Sequence, residues 1–388
     1  MEYISLSDIA TYKQGKQVPI ENQFLECKEG MKRFVRIIDF TNPSEPARYI
    51  EDLGKEYEVD EKCIIMIRYG SQTAGTVVRG ISGIIANNMF QVCINDDRFD
   101  IDYMYYYLAS PQIKNMLMSG QSSSTMPAIT FGMMKQIQIP VRKLDEQKKI
   151  ASLLEIIEKK IKTNESINRN LEEQGYILYK RFFIDNYKET WIKGTISDLG
   201  EVVGGSTPSK SISEYYCEKG IAWITPKDLS NNKSKFFERG EIDISELGLK
   251  KSSTKIMPAG SVLFSSRAPI GYIAIAKGYV TTNQGFKSIV PNSNIGTAYV
   301  YYFLKDNLVN IENMASGSTF KEISGAVMKS IEATIPDTVV LNEFNTICKP
   351  LFQQQELLEA ENLSLNMLRD SLLPKLMSGE LDVSELDI

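Results

Sequence analysis

Apolar positions along this 388-residue chain fall into two kinds of pattern, and the pair of patterns occurs twice. From Ile150 the spacing alternates four and three through Leu154, Ile157, Ile161, Asn164, Asn168, Leu171, Gly175, Leu178 and Phe182. That is a heptad seam with weak positions at Asn164, Asn168 and Gly175. A second seam runs through Phe344, Ile347, Leu351, Gln354, Leu358, Glu361, Leu365, Leu368 and Leu372. Each predicts a long helix. Pro350 predicts that the second helix is kinked there or begins there, and Pro374 and Gly379 mark its end. Ahead of each seam the pattern changes to short runs of Ile, Val, Phe and Tyr broken by Gly, Pro and Ser, which read as strands and turns. An aromatic helix follows in each set (Tyr103–Ala109; Tyr299–Leu304), then a Ser/Gly loop and a strand ending at Ile-Pro.

The two sets echo one another in detail. Met134-Lys135 lies 194 residues before Met328-Lys329, and Ile139-Pro140 lies 196 before Ile335-Pro336. Ser7-Asp8-Ile9 answers to Ser197-Asp198-Leu199, Asp39 to Asp228, and Ala86–Phe90 to Thr282–Phe286. Tyr103–Leu108 answers to Tyr299–Leu304, and Arg68 falls near Arg267. Such ordered repetition predicts an α+β protein built twice, with an internal pseudo-twofold repeat. The expected units are residues 1–143, a spacer helix 144–187, residues 188–339, a second spacer 340–377 and a tail 378–388. The two seams are expected to bury each other as an antiparallel coiled coil, with Asn164, Asn168, Gln354 and Glu361 fixing register. The bland alternative is two amphipathic helices on separate domain surfaces. Helices of ~25 to 40 residues make a rod of roughly 40 to 60 Å.

Composition narrows the chemistry. Histidine is absent, and the five cysteines include no C-x-x-C pair, which removes Ser-His-Asp and Cys-His nucleophile systems and the usual zinc sites. No G-x-x-x-x-G-K-[ST] loop or G-x-G-x-x-G fingerprint occurs. No apolar run has transmembrane length and the first residues lack a signal-peptide pattern, so a cytoplasmic protein with reduced thiols and no membrane partner is expected. The net charge of −5 is uneven: −1 over residues 1–143, zero over 144–189, +2 over 190–338 and −6 over 339–388. Affinity for a polyanion would therefore need local patches or a partner that contacts phosphates.

Two like modules on a rigid spacer suit a target with two separated half-sites. DNA presents its major groove about every 34 Å, and modules of different sequence would read different half-sites. Several stretches carry a family resemblance. They are IP followed by LDEQKKIASLLEIIEKKI, then NESINRNLEEQGYILYKRFF, GGSTPSK (Gly204–Lys210), WITPKDL (Trp223–Leu229), SSRAPIG (Ser265–Gly271), TNQGF and SGSTFKEI. RDSLLPKLMSGELDV (Arg369–Val383) is the most specific. Over nearly its whole length the chain resembles the specificity subunit of type I restriction–modification systems. The match is looser near the start, where GKQVP replaces a glycine-threonine-proline turn and RYGSQTAG stands against SSRAPIG. The resemblance implies two target-recognition domains separated by spacer helices, and a non-catalytic subunit that binds an asymmetric bipartite sequence in double-stranded DNA. It implies two modification (methyltransferase) subunits that bind S-adenosylmethionine and methylate adenine. It also implies restriction subunits that use ATP and Mg to translocate and cut, with no cofactor or metal in this chain. The rival from another class is a coiled-coil scaffold binding proteins through two globular ends; a fused restriction–methylation enzyme lacks its cofactor motifs.

Base reading needs Arg toward guanine, Asn or Gln toward adenine, with Ser and Thr less selective. In the first unit the candidates are Arg68, Tyr69, Ser71, Gln72 and Thr73, then Ser122, Ser123 and Thr125. In the second they are Ser265, Ser266 and Arg267, then Ser318, Thr319 and Lys321. Shared motifs should reflect shared architecture, whereas base readers should differ between the units. Arg68 and Arg267 are thus open between base readers and phosphate contacts or structural ion pairs. Asn87, Asn283 and Gln284 read as turn-formers, and the tyrosine-rich helices as core.

Overall fold

The computed structural model describes residues 2–42, 45–119, 128–317 and 321–383. Contacts divide the chain into two units, residues 1–161 with 364–388, and residues 162–363.

The first unit opens with β1 (Tyr3–Ser5), the single-turn helix α1 (Leu6–Ile9) and β2 (Ala10–Gln14). Next come β3 (Met31–Val35), α2 (Ile37–Thr41), β4 (Arg48–Glu51), β5 (Glu58–Val59) and β6 (Ile64–Ile67). β7 (Val77–Val78), β8 (Gly83–Ile85) and β9 (Met89–Ile94) complete two four-stranded sheets, ordered β2-β9-β6-β7 and β4-β3-β8-β5. β6 is buried along its whole length, which accounts for its unbroken apolar run. Helices α3 (Ile101–Leu108), α4 (Pro111–Ser119) and α5 (Phe131–Met134) lead to β10 (Gln138–Pro140), which pairs antiparallel with β1. The chain then enters α6 (Leu144–Lys180).

The second unit repeats this plan. β11 (Ile192–Thr195), α7 (Ile196–Leu199) and β12 (Gly200–Gly204) match β1, α1 and β2. β13 (Tyr216–Cys217), β14 (Trp223–Ile224), α8 (Pro226–Asn231), β15 (Phe236–Phe237), β16 (Asp243–Ile244) and α9 (Glu246–Lys250) follow. β17 (Val262–Ser266), β18 (Ile270–Ala276), β19 (Thr281–Thr282) and β20 (Lys287–Pro291) give the sheet order β12-β20-β17-β18-β15. The last elements are α10 (Thr297–Asp306), α11 (Leu308–Asn313), α12 (Gly325–Ser330), β21 (Glu332–Ile335) and α13 (Thr338–Ser378). β11 pairs antiparallel with β21, as β1 does with β10, and the parallel pair β14–β19 answers to β3–β8. Asp39 and Asp228 do the same work at the starts of α2 and α8. Each carboxylate accepts the main-chain N–H of the residue three before it, Arg36 or Thr225, at 2.7 Å.

The aromatic helices are core. Tyr103 and Tyr106 of α3, and Tyr299, Tyr301 and Tyr302 of α10, are buried within their own units. α13 is continuous through Pro350 and Pro374 and ends at Gly379, whose φ of +82° suits the left-handed turn after a helix. It begins twelve residues before Pro350 rather than at it. Leu341, Phe344 and Cys348 are buried in the core of the second unit, and that burial holds the early turns against a proline cost of about 3 kcal/mol.

Within the second unit α6 and α13 run antiparallel and meet through polar groups. Asn164 donates to the Glu361 carboxylate at 2.7 Å and to Asn362 Oδ1 at 2.9 Å, and the Asn168 carbonyl accepts from Gln355 at 3.3 Å. Gln354, the residue expected in the seam, is exposed, while Gln355 is 2% exposed. Lys235 joins the same pair: its ammonium meets Glu172 at 2.7 Å and Gln355 at 2.9 Å and lies 3.5 Å from the Phe352 ring centre. Burial by itself would raise the Glu172 pKa, but the charges and hydrogen bonds of Lys235 and Lys305 outweigh it and bring it down to about 2. In the first unit α6 and α13 share a core in which Ile150, Leu154, Leu373 and Leu376 are buried.

Candidate nucleic-acid interface

In the first unit β6 leaves its sheet at Arg68. The Arg68 N–H donates to the Asn88 carbonyl and its own carbonyl accepts from Ile129 N, both at 2.9 Å. Its guanidinium donates to Gln14 Oε1 at 3.0 Å and sits 5.2 Å from the Tyr69 ring centre and 5.8 Å from that of Phe131. The half-buried side chain is thus held by neighbours of its own fold. Beyond it the loop turns at Gly70 (φ +121°), Thr73 Oγ1 donates to the Tyr69 carbonyl at 2.9 Å, and Ser71 and Gln72 stand exposed at the tip. Tyr69 is half-buried and bridges to Ala128. Ser122, Ser123 and Thr125 lie outside the described residues.

In the second unit Ser265 and Ser266 are fully buried, which corrects the expectation that they face DNA. Ser265 Oγ donates to the Pro269 carbonyl at 2.9 Å and accepts from Tyr272 N at 2.8 Å, while Ser266 Oγ donates to the Gly285 carbonyl at 3.1 Å. Both hydroxyls shape the loop that carries Arg267. Arg267 forms an ion pair with Glu322 at 3.5 Å, and Glu322 also meets Lys287 at 3.4 Å. Lys321 is exposed; Ser318 and Thr319 lie outside the described residues.

Main-chain hydrogen bonds give the true equivalences between units. Arg68 N donates to Asn88 O, and Ser266 N to Gly285 O; Ile129 N donates to Arg68 O, and Ile323 N to Ser266 O. Arg68 therefore corresponds to Ser266, and the counterpart of Arg267 is Tyr69. The same logic moves the following hairpin by one residue. Gly15 N donates to Met89 O and Gly205 N to Phe286 O, so Phe286 matches Met89 and not Phe90. Asn87 then matches Gln284. Of the three amides read as turn-formers, only Asn283 shows that role, its Oδ1 accepting from Gly285 N at 2.8 Å.

The loop after β2, and its counterpart after β12, was not singled out as a site; matched on Gly15 and Gly205, it reads GKQVP in one repeat and GSTPS in the other. A groove of about 510 Å³ lies beside it in the first unit, lined in part by Gln17, Arg36, Thr41 and Asn87. In the second unit the matching loop borders a more polar groove of about 640 Å³, with Ser206, Thr207, Lys250, Lys251 and Ser252 in its wall. Hydroxyls and two ammonium groups around an open groove suit a phosphate oxygen. Among the described residues no cluster of three or more Cys, Asp or Glu is placed to hold a metal ion, and no helix is long and apolar enough to cross a membrane.

Comparison with known proteins adds the following. A family model described as the type I restriction modification DNA specificity domain matches residues 1–173 and again 188–365. The MjaIX specificity subunit of a type I restriction enzyme from Methanocaldococcus jannaschii is 40% identical over 196 residues, which span 48% of this chain and 45% of that relative. The HindI specificity subunit from Haemophilus influenzae is 23% identical over 334 residues, 67% of this chain and 72% of the relative. The crystal structure of a type I restriction–modification S subunit from M. genitalium shares the fold, with a TM-score of 0.59 at 16% identity over 97% of this chain and 95% of the other.

Proposed function

The chain belongs to the type I restriction–modification DNA specificity family, and we propose that it is the non-catalytic subunit that selects the DNA target for partner enzymes. Each unit reads one half of an asymmetric, bipartite sequence in double-stranded DNA, with an unread gap between the halves. Two modification subunits carrying S-adenosylmethionine methylate adenine at the chosen site, and restriction subunits act with ATP and Mg on unmodified DNA. The observation that carries this reading is the doubled specificity domain, whose two copies share the terminal antiparallel pair, a parallel pair and the capping carboxylates yet differ in their exposed loops. A common frame with divergent side chains is what two different half-sites require.

The test is adenine-methylation mapping by single-molecule sequencing, in cells expressing this chain with its modification subunit. A gapped, asymmetric motif that disappears when the chain is omitted supports the proposal. Absence of any chain-dependent motif, with the modification subunit folded and bound, overturns it in favour of a protein-binding scaffold.

A further inference from the structure

The loop after the first sheet strand crosses the neck of a turn in both units, and the two crossings share three main-chain hydrogen bonds. In the first unit Gly15 N donates to Met89 O (3.0 Å), Lys16 N to Ile85 O (2.8 Å), and Met89 N closes the turn onto Ala86 O (3.0 Å). In the second, Gly205 N donates to Phe286 O (3.5 Å), Ser206 N to Thr282 O (2.9 Å), and Phe286 N closes onto Asn283 O (3.2 Å). Both crossings demand glycine. A Cβ on Gly15 would lie 2.1 Å from Ala86 O, and one on Gly205 2.0 Å from Asn283 O, which are equivalent atoms of the two turns.

On this shared frame the side chains differ. Two residues past each glycine, Gln17 accepts from Asn87 Nδ2 at 3.3 Å, and Thr207 donates to Gln284 Oε1. Asn87 and Gln284 are exposed and occupy the same place on their turns. Each primary amide engages one neighbour through a single atom, and its two N–H donors and two oxygen lone pairs leave it at least one further donor and one further acceptor. That pair is the complement of the N6/N7 edge of adenine in the major groove. Arg68, Ser265 and Ser266 are committed to their own folds, so they lack this combination of exposure and open valence.

We propose that Asn87 and Gln284 each read an adenine-type base edge in their respective half-sites, with Gln17 and Thr207 as the positioning residues that aim them. This rests on the functional reading above. The experiment is methylation mapping with Asn87→Ala, Gln284→Ala and Gln17→Ala in the full chain with its modification subunit, alongside thermal unfolding of each variant. Asn87→Ala should relax one position in one half of the motif, lowering discrimination there by roughly five- to 150-fold. Gln284→Ala should do the same only in the other half. Gln17→Ala should loosen the Asn87 position with a smaller effect. A wild-type motif left unchanged, or weakened equally at all positions, by folded variants would overturn this inference alone. No wild-type motif at all would sink the functional reading and this inference with it.

Discussion

At Gly15 and Gly205 a hydrogen atom stands where a methyl group would meet main-chain oxygen at 2.1 and 2.0 Å. Backbone cannot yield as a flexible side chain does, so Gly15→Ala or Gly205→Ala should cost roughly 1–3 kcal/mol, read as a shift in the denaturant midpoint. Gly204→Ala is the control, because its nearest neighbour would be the Lys287 side chain at 3.9 Å. The Glu172 carboxylate makes a second residue-scale prediction. Its folded pKa, about 2, lies below the unfolded value, so its stabilising contribution is present above about pH 4.3 and fades as pH falls toward 2. Glu172→Gln should flatten the acid limb of a melting-temperature profile and cost roughly 3 kcal/mol at neutral pH, since Lys235 would stay buried without its counter-charge. An unchanged acid limb would mean that Glu172 is not the group being titrated.

On the scale of elements, the long helices show what periodicity resolves and where it slips. The α6 seam from Ile150 to Asn164 is buried where the spacing places it, because strong apolar residues leave one phase available. In α13 the alternation of three and four has two phases sharing Phe344, Leu351 and Leu358. Ile347 draws the sequence reading to one phase, but Ile347 is 38% exposed and Cys348 and Gln355 are buried instead. The second phase wins because that face covers the core of the second unit and meets Asn168 and Lys235, contacts invisible to local spacing. Gln355→Ala should therefore cost about 1–3 kcal/mol, while Gln354→Ala should stay within about 0.5 kcal/mol, as compared by urea unfolding. Equal costs would restore the other phase. The hairpin at Asn87 teaches the same lesson in strands: similarity matched Phe90 with Phe286, whereas the hydrogen bonds match Met89, a one-residue step that turns every side chain to the opposite face. The order of elements, the duplication and the correspondence of Asp39 with Asp228 were legible in the chain; that both carboxylates cap a helix came from the structure. The side chains at the candidate site were not, since a serine reads alike whether its hydroxyl faces solvent or, as in Ser265 and Ser266, is spent on a neighbouring carbonyl.

For the molecule as a whole, α6 and α13 are the continuous elements held in common, each contributing a segment to both units. If each unit reads one half-site, the length of these helices must enter the length of the unread gap. The division between units falls after Ile161 in α6 and after Leu363 in α13, so residues inserted at those two points enter at the boundary rather than inside either unit. Seven residues in each helix preserve the heptad phase of both seams and add about 10 Å of helix. That equals about three base pairs of DNA at 3.4 Å each. The paired insertion should lengthen the gap of the methylated motif by about three base pairs and leave both half-site sequences as they were. Seven residues in α6 alone put the two helices out of register and should lower the unfolding temperature and abolish the motif. A paired insertion that methylates the original motif with its original gap would separate spacing from these helices and confine their role to packing within each unit.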